Sequence, residues 1–372
     1  MGRLPHSLDG PDPAGGPVTG GDTWLVTRRL RLRRPGAEDL THYVRLHTDP
    51  RTYVHKPAAM ATEQECVDQF LAVVDRWNGD GVGYGPVVER DTGEVVGWAG
   101  LRVAGHSGEP HLNLYYRLQP EVHGRGLGRE LARGLACWAA ECRPDLPVRA
   151  VVAPVNQASC ATALAAGLVE VWRADHPSFP EDEPDVVLEL PRVRVVAAPD
   201  VAPDEVVDLW CRVNDAGGAV GFLPGAARER VEAALQQHVD LIRRGLATLV
   251  CLRSPDGRLL GFGFWEHTGH PGFDHVATLK RLMVDPDGRG RNWGALLLAG
   301  MVGVARRELP GIGLLLLDYR SGLGLGDFYA RAGWTEVGRV PGAIRVGEDE
   351  FRDDVLMARR VDGRPLLPDG RT

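Results

Sequence analysis

Short runs of alternating apolar and polar residues predict β-strands, and longer stretches with apolar residues at helical spacing predict helices. In the first half, the predicted strands include LVTRRLRLRRP (25–35), HLNLYYRL (111–118) and VRAVVAP (148–154). The helical stretches of this half are 37–48, 63–77 and 128–141. A hairpin turns at Asp91-Thr92-Gly93, and a short helix and a strand pair complete the half. This order predicts an α+β domain with a mixed, mainly antiparallel sheet flanked by helices.

Three segments of this half recur about 165 residues later, a spacing close to the size of one domain. DTGEVVGWAGLR (91–102) is similar to SPDGRLLGFGFWE (254–266), HGRGLG (123–128) to RGRNWG (289–294), and ALAAGLVEV (163–171) to YARAGWTEV (329–337). The second half repeats the pattern, with strands at 193–199, 277–284 and 312–318 and helices at 203–214, 225–244 and 294–307. The sequence therefore predicts a tandem duplication. The predicted parts are a flexible tail (1–22), two domains (23–192 and 193–362) and a C-terminal tail (363–372).

Composition narrows the class of protein. Of the 372 residues, 44% are hydrophobic and 25% are charged, a soluble globular balance, and no apolar run is long enough to span a membrane. The net charge of −7 argues against a nucleic-acid partner or a polybasic membrane surface. The six cysteines lack zinc spacing, and the N-terminus lacks a secretion pattern, so we expect reduced thiols, no metal and a cytoplasmic location. The basic residues are arginines except Lys56 and Lys280.

Two glycine-rich turns carry the first chemical signal. In each half a strand runs through a proline into such a turn and then into a helix, at 118–128 and at 284–294. Backbone N–H groups at a helix N-terminus converge on phosphate, and glycines let a ligand approach the backbone closely. No Lys-Ser/Thr pair follows either turn, which excludes a P-loop, and the glycine spacing does not fit a dinucleotide fingerprint. The alternative is a helix start after a tight turn that binds nothing.

Both turns resemble the acyl-CoA pyrophosphate loop of the GNAT superfamily of N-acyltransferases, whose pattern is Arg/Gln-x-x-Gly-x-Gly/Ala. The first copy has His123 at the leading position and keeps Gly126 and Gly128. The second keeps Arg289 and Gly294 but carries Asn292, the side chain that best tolerates a left-handed backbone. The resemblance implies two GNAT-like domains, each splayed between its fourth and fifth strands, with acetyl-CoA as co-substrate.

The first half resembles the ribosomal-protein α-amine acetyltransferase branch and the second half the general small-amine acetyltransferases. The residues that the resemblance assigns to acetyl-CoA in the first half are Leu118, His123, Gly124, Arg125, Gly126, Leu127, Gly128, Arg129, Asn156 and Ser159. Those in the second half are Met283, Val284, Arg289, Gly290, Arg291, Asn292, Trp293 and Gly294. The first-turn arginines oppose the helix dipole, which favours an anionic ligand over a solvated basic turn.

The resemblance also suggests catalytic residues. Tyr329 stands where the family's thiolate-protonating tyrosine occurs, and the alternative is a tyrosine that packs its helix on the sheet. Glu266 is the candidate base, with Asp318 as a further possibility; both are also ordinary carboxylates of strand ends. The first half has Ala163 in place of the tyrosine. Its remaining candidates are Ser159 for thiolate departure and Asn156 for the pantetheine arm, although Asn156 is equally a helix cap. Chemistry is therefore predicted in the second half.

The sequence predicts an N-acetyltransferase that moves an acetyl group from acetyl-CoA to a primary amine. Expected acceptors are a small amine, an aminated antibiotic or a peptide α-amine, and the protein is expected to be a monomer or homodimer. One alternative places chemistry in the first half, on an α-amine with Ser159 as the acid. Others are a non-enzymatic CoA-responsive protein and a tRNA-dependent aminoacyl ligase that binds no CoA.

Overall fold

The computed structural model describes residues 23–105, 109–176 and 178–366. The predicted tail 1–22 and most of the predicted tail 363–372 lie outside these residues. The first half contains β1 (Thr23–Val26), β2 (Leu30–Arg33), α1 (Leu40–His47), α2 (Glu63–Asp80), β3 (Tyr84–Glu89), β4 (Val95–Ala104), β5 (His111–Leu118), α3 (Leu127–Cys142), β6 (Val148–Val152), α4 (Gln157–Ala166), β7 (Val169–Ala174) and β8 (Asp185–Glu189).

The second half repeats this order of elements. It contains β9 (Arg192–Val196), α5 (Pro203–Asp215), α6 (Arg228–Arg243), β10 (Ala247–Arg253), β11 (Leu259–His267), β12 (Val276–Val284), α7 (Trp293–Glu308), β13 (Leu314–Arg320), α8 (Leu325–Arg331), β14 (Thr335–Arg345) and β15 (Phe351–Arg360). Short 3₁₀ turns precede α1, α3, α5 and α7.

The strands form two sheets with matching topology. The first sheet has the order β1-β2-β3-β4-β5-β6-β8-β7, and the second has β14-β15-β13-β12-β11-β10-β9. Without β1, the two orders correspond strand for strand. All pairs are antiparallel except β5 with β6 and β12 with β13. The predicted fold class, α+β with mixed and mainly antiparallel sheets, is confirmed.

The predicted first strand is wrong in one respect: residues 25–35 form two strands rather than one. The chain turns at 27–29, where the Thr27 amide donates to the Leu30 carbonyl at 2.8 Å. Glu130 of α3 holds this turn, because its Oε1 accepts from the Thr27 hydroxyl and from the Arg29 amide, both at 2.7 Å. A contact across about a hundred residues breaks a locally continuous strand pattern.

Local signals set several helix ends. Thr62 and Glu65 form a capping box at the start of α2, and Gly81 ends that helix in a left-handed conformation with φ 67°. At the start of α3, Gly126 has φ 74°, and at the start of α7 Asn292 has φ 67°. Asn292 therefore adopts the left-handed conformation that its substitution for glycine predicts.

The helices and sheets form layers around three apolar clusters. The cluster of Tyr43, Phe70 and Trp98 joins α1 and α2 to one face of the first sheet. A second cluster joins α5 and α6 to the outer face of the second sheet. The largest cluster is continuous between the halves and contains both α3 and α7, which pack against each other between the two sheets.

Polar contacts reinforce the junction between α3 and α7. The buried Glu141 carboxylate on α3 accepts from Arg306 at 2.6 Å and from Arg359 at 3.2 Å. Its backbone carbonyl accepts from Arg307 at 2.6 Å. Gly303 passes so near this carbonyl that an added Cβ would clash with it. The helices therefore approach at a distance that only glycine permits.

Candidate active site

The first sheet opens between β5 and β6. These strands pair only at Leu112 with Val148 and at Asn113 with Arg149, although β5 continues to Leu118. Beyond the paired residues lies a cleft of about 230 Å³. Its lining comes from the α1–α2 connection, both splayed strands and the start of α4. The lining residues are Thr52, Tyr53, His55, Lys56, Ala59, Leu114, Tyr115, Tyr116, Arg117, Ala150, Val151, Val152, Ala153, Asn156 and Ser159.

The unpaired part of β5 presents its backbone to this cleft. The Leu112 amide donates toward β6, to the Pro147 carbonyl at 2.8 Å. Because strand residues alternate, the amides of Leu114 and Tyr116 face the same edge. Tyr116 lies beyond the last paired residue, so its N–H is directed into the splay.

A tyrosine–serine pair lies at this edge. The Tyr116 hydroxyl is 3.0 Å from the Ser159 carbonyl oxygen and 3.1 Å from its Oγ. Burial raises the pKa of the Tyr116 phenol to about 12, so it keeps its proton at neutral pH. The two hydroxyls together form a protonated, hydrogen-bonded group on the wall of the cleft.

Asn156 caps a helix, which the sequence analysis gave as the alternative to binding the pantetheine arm. Its Oδ1 accepts from the Ser159 amide at 3.1 Å and so caps the N-terminus of α4. The cap fixes the first turn of this helix and, with it, the position of Ser159. Asn156 also lines the cleft, so the two roles are compatible.

Tyr115 connects the cleft to a buried histidine. Its hydroxyl is 3.0 Å from His47 Nε2, and His47 Nδ1 is 2.9 Å from the Tyr43 carbonyl oxygen. Nδ1 must therefore carry the proton, which leaves Nε2 to accept from Tyr115. Burial, with a smaller effect of Arg117, lowers the pKa of His47 to about 4 and keeps the ring neutral at pH 7.

Two cations face the same space. The Arg117 guanidinium lies 3.7 Å from the centre of the Tyr53 ring and donates to the Thr52 hydroxyl at 3.4 Å. Lys56 lies over the Phe179 ring at 4.7 Å and pairs with the half-exposed Asp182 at 3.5 Å. The contacts of Lys56 join the α1–α2 connection to the β7–β8 connection.

The first glycine turn leads from β5 to α3 beside this cleft. His123, Gly124, Arg125 and Gly126 are exposed, while Leu118 and Leu127 are buried. His123 Nε2 is 3.0 Å from the Leu118 carbonyl oxygen. The Arg125 guanidinium is bound by Glu89, so of the two turn arginines only the exposed Arg129 has no ion pair among the described residues.

The splay of the second sheet is different. β12 and β13 pair from Val276–Leu314 to Leu279–Leu317 and then separate. Immediately beyond the last pair, the Lys280 ammonium binds the Asp318 carboxylate at 2.5 Å. An ion pair thus bridges the two strands where the first sheet has its open cleft.

Arg281 fills space on the adjoining face of the second sheet. It has the positive φ of 57° at an irregularity of the β11–β12 pairing. Its half-buried guanidinium lies over the Trp210 ring at 5.6 Å and packs against Gly221, where an added Cβ would clash. The side chain therefore occupies the space between β12 and the α5–α6 connection.

The two predicted catalytic residues, Tyr329 and Glu266, have different structural surroundings. Tyr329 is buried among Tyr319, Phe328 and Trp334, and burial raises the pKa of its phenol. Glu266 Oε1 lies 2.7 Å from His238 Nδ1, and this neighbouring imidazole lowers the pKa of the carboxyl. The charge of Lys280 affects the pKa of Glu266, and the charge of Asp318 affects the pKa of Tyr329. Each of the two predicted residues nevertheless already has a structural partner: aromatic rings for Tyr329 and His238 for Glu266.

The second glycine turn packs on the first half. The Asn292 amide donates to the Ala166 carbonyl at 3.1 Å, and the buried Trp293 indole donates to Gly167 at 3.0 Å. Arg133 of α3 donates to the Gly290 carbonyl at 2.7 Å. The junction between the halves therefore uses the residues that correspond to the phosphate-binding turn.

The other residues assigned to acetyl-CoA in the second half have mixed surroundings. Met283 is buried in the outer cluster, and Val284 is half-buried. Arg289 donates to the Ala216 carbonyl at 2.7 Å, and Arg291 lies over Trp293 at 5.6 Å. Gly294 is half-buried against Phe328.

Sequence reasoning missed Tyr115, Tyr116, Arg117 and His47 as site residues. The signal was present in part: the strand HLNLYYRL carries two tyrosines and an arginine at its unpaired end. His47 gave no signal, since its link to Tyr115 depends on how α1 packs on the sheet. In the described ranges, no group of three His, Cys, Asp or Glu side chains converges as a metal site, and no helix is long and apolar enough to cross a membrane.

Comparison with known proteins locates a family signature in the first half. Residues 29–169 match the family model described as acetyltransferase (GNAT) domain. No curated protein matches the chain. Solved structures similar to it include an acetyltransferase from Agrobacterium tumefaciens, with 27% identity, 50% of this chain and 98% of that one covered, and a TM-score of 0.38.

Two further solved structures give similar values. A GNAT-family acetyltransferase from Streptococcus pneumoniae has 16% identity, with 46% of this chain and 99% of that one covered and a TM-score of 0.38. A GNAT-superfamily phosphinothricin acetyltransferase from Sinorhizobium meliloti, in complex with AcCoA, has 15% identity, 46% and 88% coverage, and a TM-score of 0.38. The segment of this chain that matches the acetyltransferase (GNAT) domain, residues 29–169, holds the open cleft, its glycine turn and the tyrosine–serine pair.

Proposed function

We propose that this protein is an acetyl-CoA-dependent N-acetyltransferase whose chemistry takes place in the cleft between β5 and β6. The observation that carries the proposal is the open splay beside a glycine turn, within the segment that matches the GNAT domain. The sequence analysis predicted chemistry in the second half and gave the first half as an alternative; the proposal adopts that alternative. The predicted use of Tyr329 and Glu266 stays a prediction, and the Tyr329→Phe variant below tests the first of these residues.

The backbone of β5 orients and polarises the thioester. The Tyr116 amide faces the splay, where a bound thioester carbonyl accepts a hydrogen bond from it. As the amine nitrogen forms a bond to the carbonyl carbon, negative charge develops on this oxygen. A fixed N–H donor stabilises that charge without reorganising, which is the principle of an oxyanion hole.

The acceptor amine must lose a proton on this path. The residues that line the cleft include no carboxylate. The available acceptor is the neutral His47 ring, which Tyr115 connects to the cleft. Its pKa of about 4 makes it a weak base. The site therefore suits an amine that is partly neutral at physiological pH, as α-amines are, rather than a lysine side chain.

Collapse of the tetrahedral intermediate breaks the C–S bond and releases a thiolate. The Tyr116–Ser159 pair is the nearest protonated group on the wall of the cleft. Ser159 or Tyr116 donates the proton, and the other hydroxyl supports the donor through their hydrogen bond. CoA thiol and the N-acetyl product then leave.

We infer that the second half is a paired GNAT-like domain that supports the first. The shared strand order supports two domains that join between β8 and β9, one or two residues before the predicted boundary between 23–192 and 193–362. Its splay is bridged by the Lys280–Asp318 pair, and its glycine turn contacts α3 and α4. We place acetyl-CoA in the first half because its glycine turn is exposed and its splay has no such ion pair among the described residues.

The central experiment measures thiol release from acetyl-CoA with a panel of primary amines. We expect the Tyr116→Phe and Ser159→Ala variants each to lower kcat by about 10²- to 10⁴-fold, the range of a positioned proton donor. Tyr329→Phe, the matched change in the second half, should leave kcat within about two-fold. The reverse result would restore the second half as the catalytic unit.

Equilibrium binding of acetyl-CoA separates the remaining alternatives. Binding without turnover on any amine would favour a CoA-responsive protein and contradict the enzyme. No binding at all would favour the aminoacyl ligase. Because Phe in place of Tyr116 removes only the hydroxyl, retained acetyl-CoA binding by that variant shows that its loss of turnover is chemical.

A further inference from the structure

We propose that the acceptor of this cleft is an α-amino acid or similar small amine that carries a carboxylate, and that Arg117 binds this carboxylate. The proposal rests on the proposed function of the same cleft and names the class of its second substrate. Arg117 is thus a specificity residue of the first half.

Arg117 is a cation without an anionic partner. It lies on β5 among the cleft-lining residues and is half-buried. Its polar contact is with the neutral Thr52 hydroxyl, and its ring contact is with Tyr53. No carboxylate of the described residues lies within ion-pair distance of its guanidinium, although it is half-buried and lines the cleft.

The whole lining has the same electrostatic character. It contains Arg117 and Lys56 but neither aspartate nor glutamate, in a chain whose net charge is −7. Lys56 has Asp182 as a partner outside the lining, so Arg117 is the cation left for a substrate anion. A polycationic acceptor would meet repulsion here. A substrate anion gains a planar, two-donor partner in the guanidinium, which fits a carboxylate geometrically.

The position of Arg117 within the strand separates this role from cofactor binding. Side chains alternate along β5, so Arg117 shares a face with Tyr115, toward α1 and the α1–α2 connection. Tyr116 points to the opposite face, toward Ser159 and α4. The proposed thioester contact lies at the strand edge between these faces. Arg117 therefore faces the side from which an acceptor enters beneath the α1–α2 connection.

The positive lining also assists the chemistry of such an acceptor. Nearby cations disfavour the protonated form of a bound amine and so favour the nucleophilic form. A zwitterionic acceptor receives both effects at once, because the cation that binds its carboxylate also acts on its amine. This compensates for the absence of a carboxylate base in the lining.

The test compares free amino acids with their α-amides as acceptors, with acetyl-CoA as donor. The two series share the α-amine and differ in the negative charge. The pKa of the amine is lower in the amides, so a preference for the acids cannot come from a larger neutral fraction of the amine. We expect the free acids to have kcat/KM at least about ten-fold higher, and Arg117→Gln to raise the acceptor KM about ten- to hundred-fold, the value of a lost charge-assisted hydrogen bond. The KM for acetyl-CoA should change less than about two-fold.

The controls distinguish the possible failures. Arg173→Gln, which removes an exposed arginine of β7 outside the cleft, should leave both KM values unchanged. Arg117→Lys should restore part of the preference for acids, because it restores the charge. Equal rates for acids and amides, or an Arg117→Gln effect confined to the KM for acetyl-CoA, would overturn this inference alone. Absence of turnover with every amine would overturn the proposed function as well.

Discussion

At the scale of single residues, burial determines the protonation of His47. The ring is buried, and both nitrogens are engaged by groups of the first half. Burial lowers its pKa from an ordinary value of 6.5 to about 4. The unfolded chain therefore binds a proton at a pH where the folded protein does not.

This difference predicts an acid-sensitive stability. As pH falls from 7 to 5, the histidine is protonated only in the unfolded chain, so the free energy of unfolding falls by about 2 kcal/mol. Urea unfolding at both pH values measures this loss. The His47→Gln variant, which has no titrating group there, should lose about 2 kcal/mol less over the same interval. An equal loss in both proteins would show that other groups cause it.

Residue types alone could not indicate this site. Tyr329 gave a sequence signal because a tyrosine at that point of the GNAT pattern has a known role. Tyr116, Arg117 and His47 are site residues because of hydrogen-bond partners far away along the chain. The separations are 43 residues for Tyr116, 65 for Arg117 and 68 for His47. Such pairings depend on tertiary packing, which composition and periodicity do not encode.

At the scale of elements, the two glycine turns differ in what surrounds them. Gly126 and Asn292 start their helices with the same left-handed geometry. The first turn is exposed beside the cleft, while the second contacts α3 and α4 of the other half. The first is therefore the turn that we expect to hold the pyrophosphate.

Matched alanine substitutions test which turn binds. Gly128→Ala and Gly294→Ala both replace a helical glycine whose added Cβ meets only ordinary contacts, at 3.8 and 3.6 Å, so neither should destabilise the fold. We expect Gly128→Ala to raise the Kd for acetyl-CoA at least about ten-fold, because the Cβ keeps phosphate from the backbone donors. Gly294→Ala should leave the Kd unchanged. Isothermal titration measures both, and equal effects would assign acetyl-CoA to both turns.

Sequence patterns predicted most elements because their causes are local. The strand at 111–118 has the predicted bounds, and α3 and α7 each extend one residue further at both ends than predicted. Alternation, glycine punctuation and capping act within a few residues. The exception at 27–29 depends on Glu130, which lies far away along the chain.

At the scale of the whole molecule, the two halves share one apolar core through α3 and α7. The buried Glu141 and its three arginines add polar specificity to this junction. The repeat along the sequence predicted two similar units but did not predict which faces meet. That choice depends on side chains from both halves, such as Trp293 and Gly303.

A single methyl group at the junction tests this coupling. Gly303→Ala places a Cβ against the rigid Glu141 carbonyl, and such overpacking costs about 1–3 kcal/mol. Gly313→Ala, whose Cβ would have no neighbour within 4 Å, is the matched control. Thermal unfolding should show a lower Tm for the first variant, with both halves affected. Equal Tm values for the two variants would mean that α3 and α7 can move apart to accept the methyl group without loss of stability.

The scarcity of lysine gives the molecule two internal reporters of cleft occupancy. Of the 43 basic residues, only Lys56 and Lys280 carry primary amines in their side chains. One lines the open cleft of the first half, and the other pairs with Asp318 across the splay of the second. An amine-reactive label that is read by peptide mass therefore reports each splay at a single residue. With acetyl-CoA in this cleft, as proposed, Lys56 would lie beside the acetyl donor, and we expect slow acetylation of this side chain.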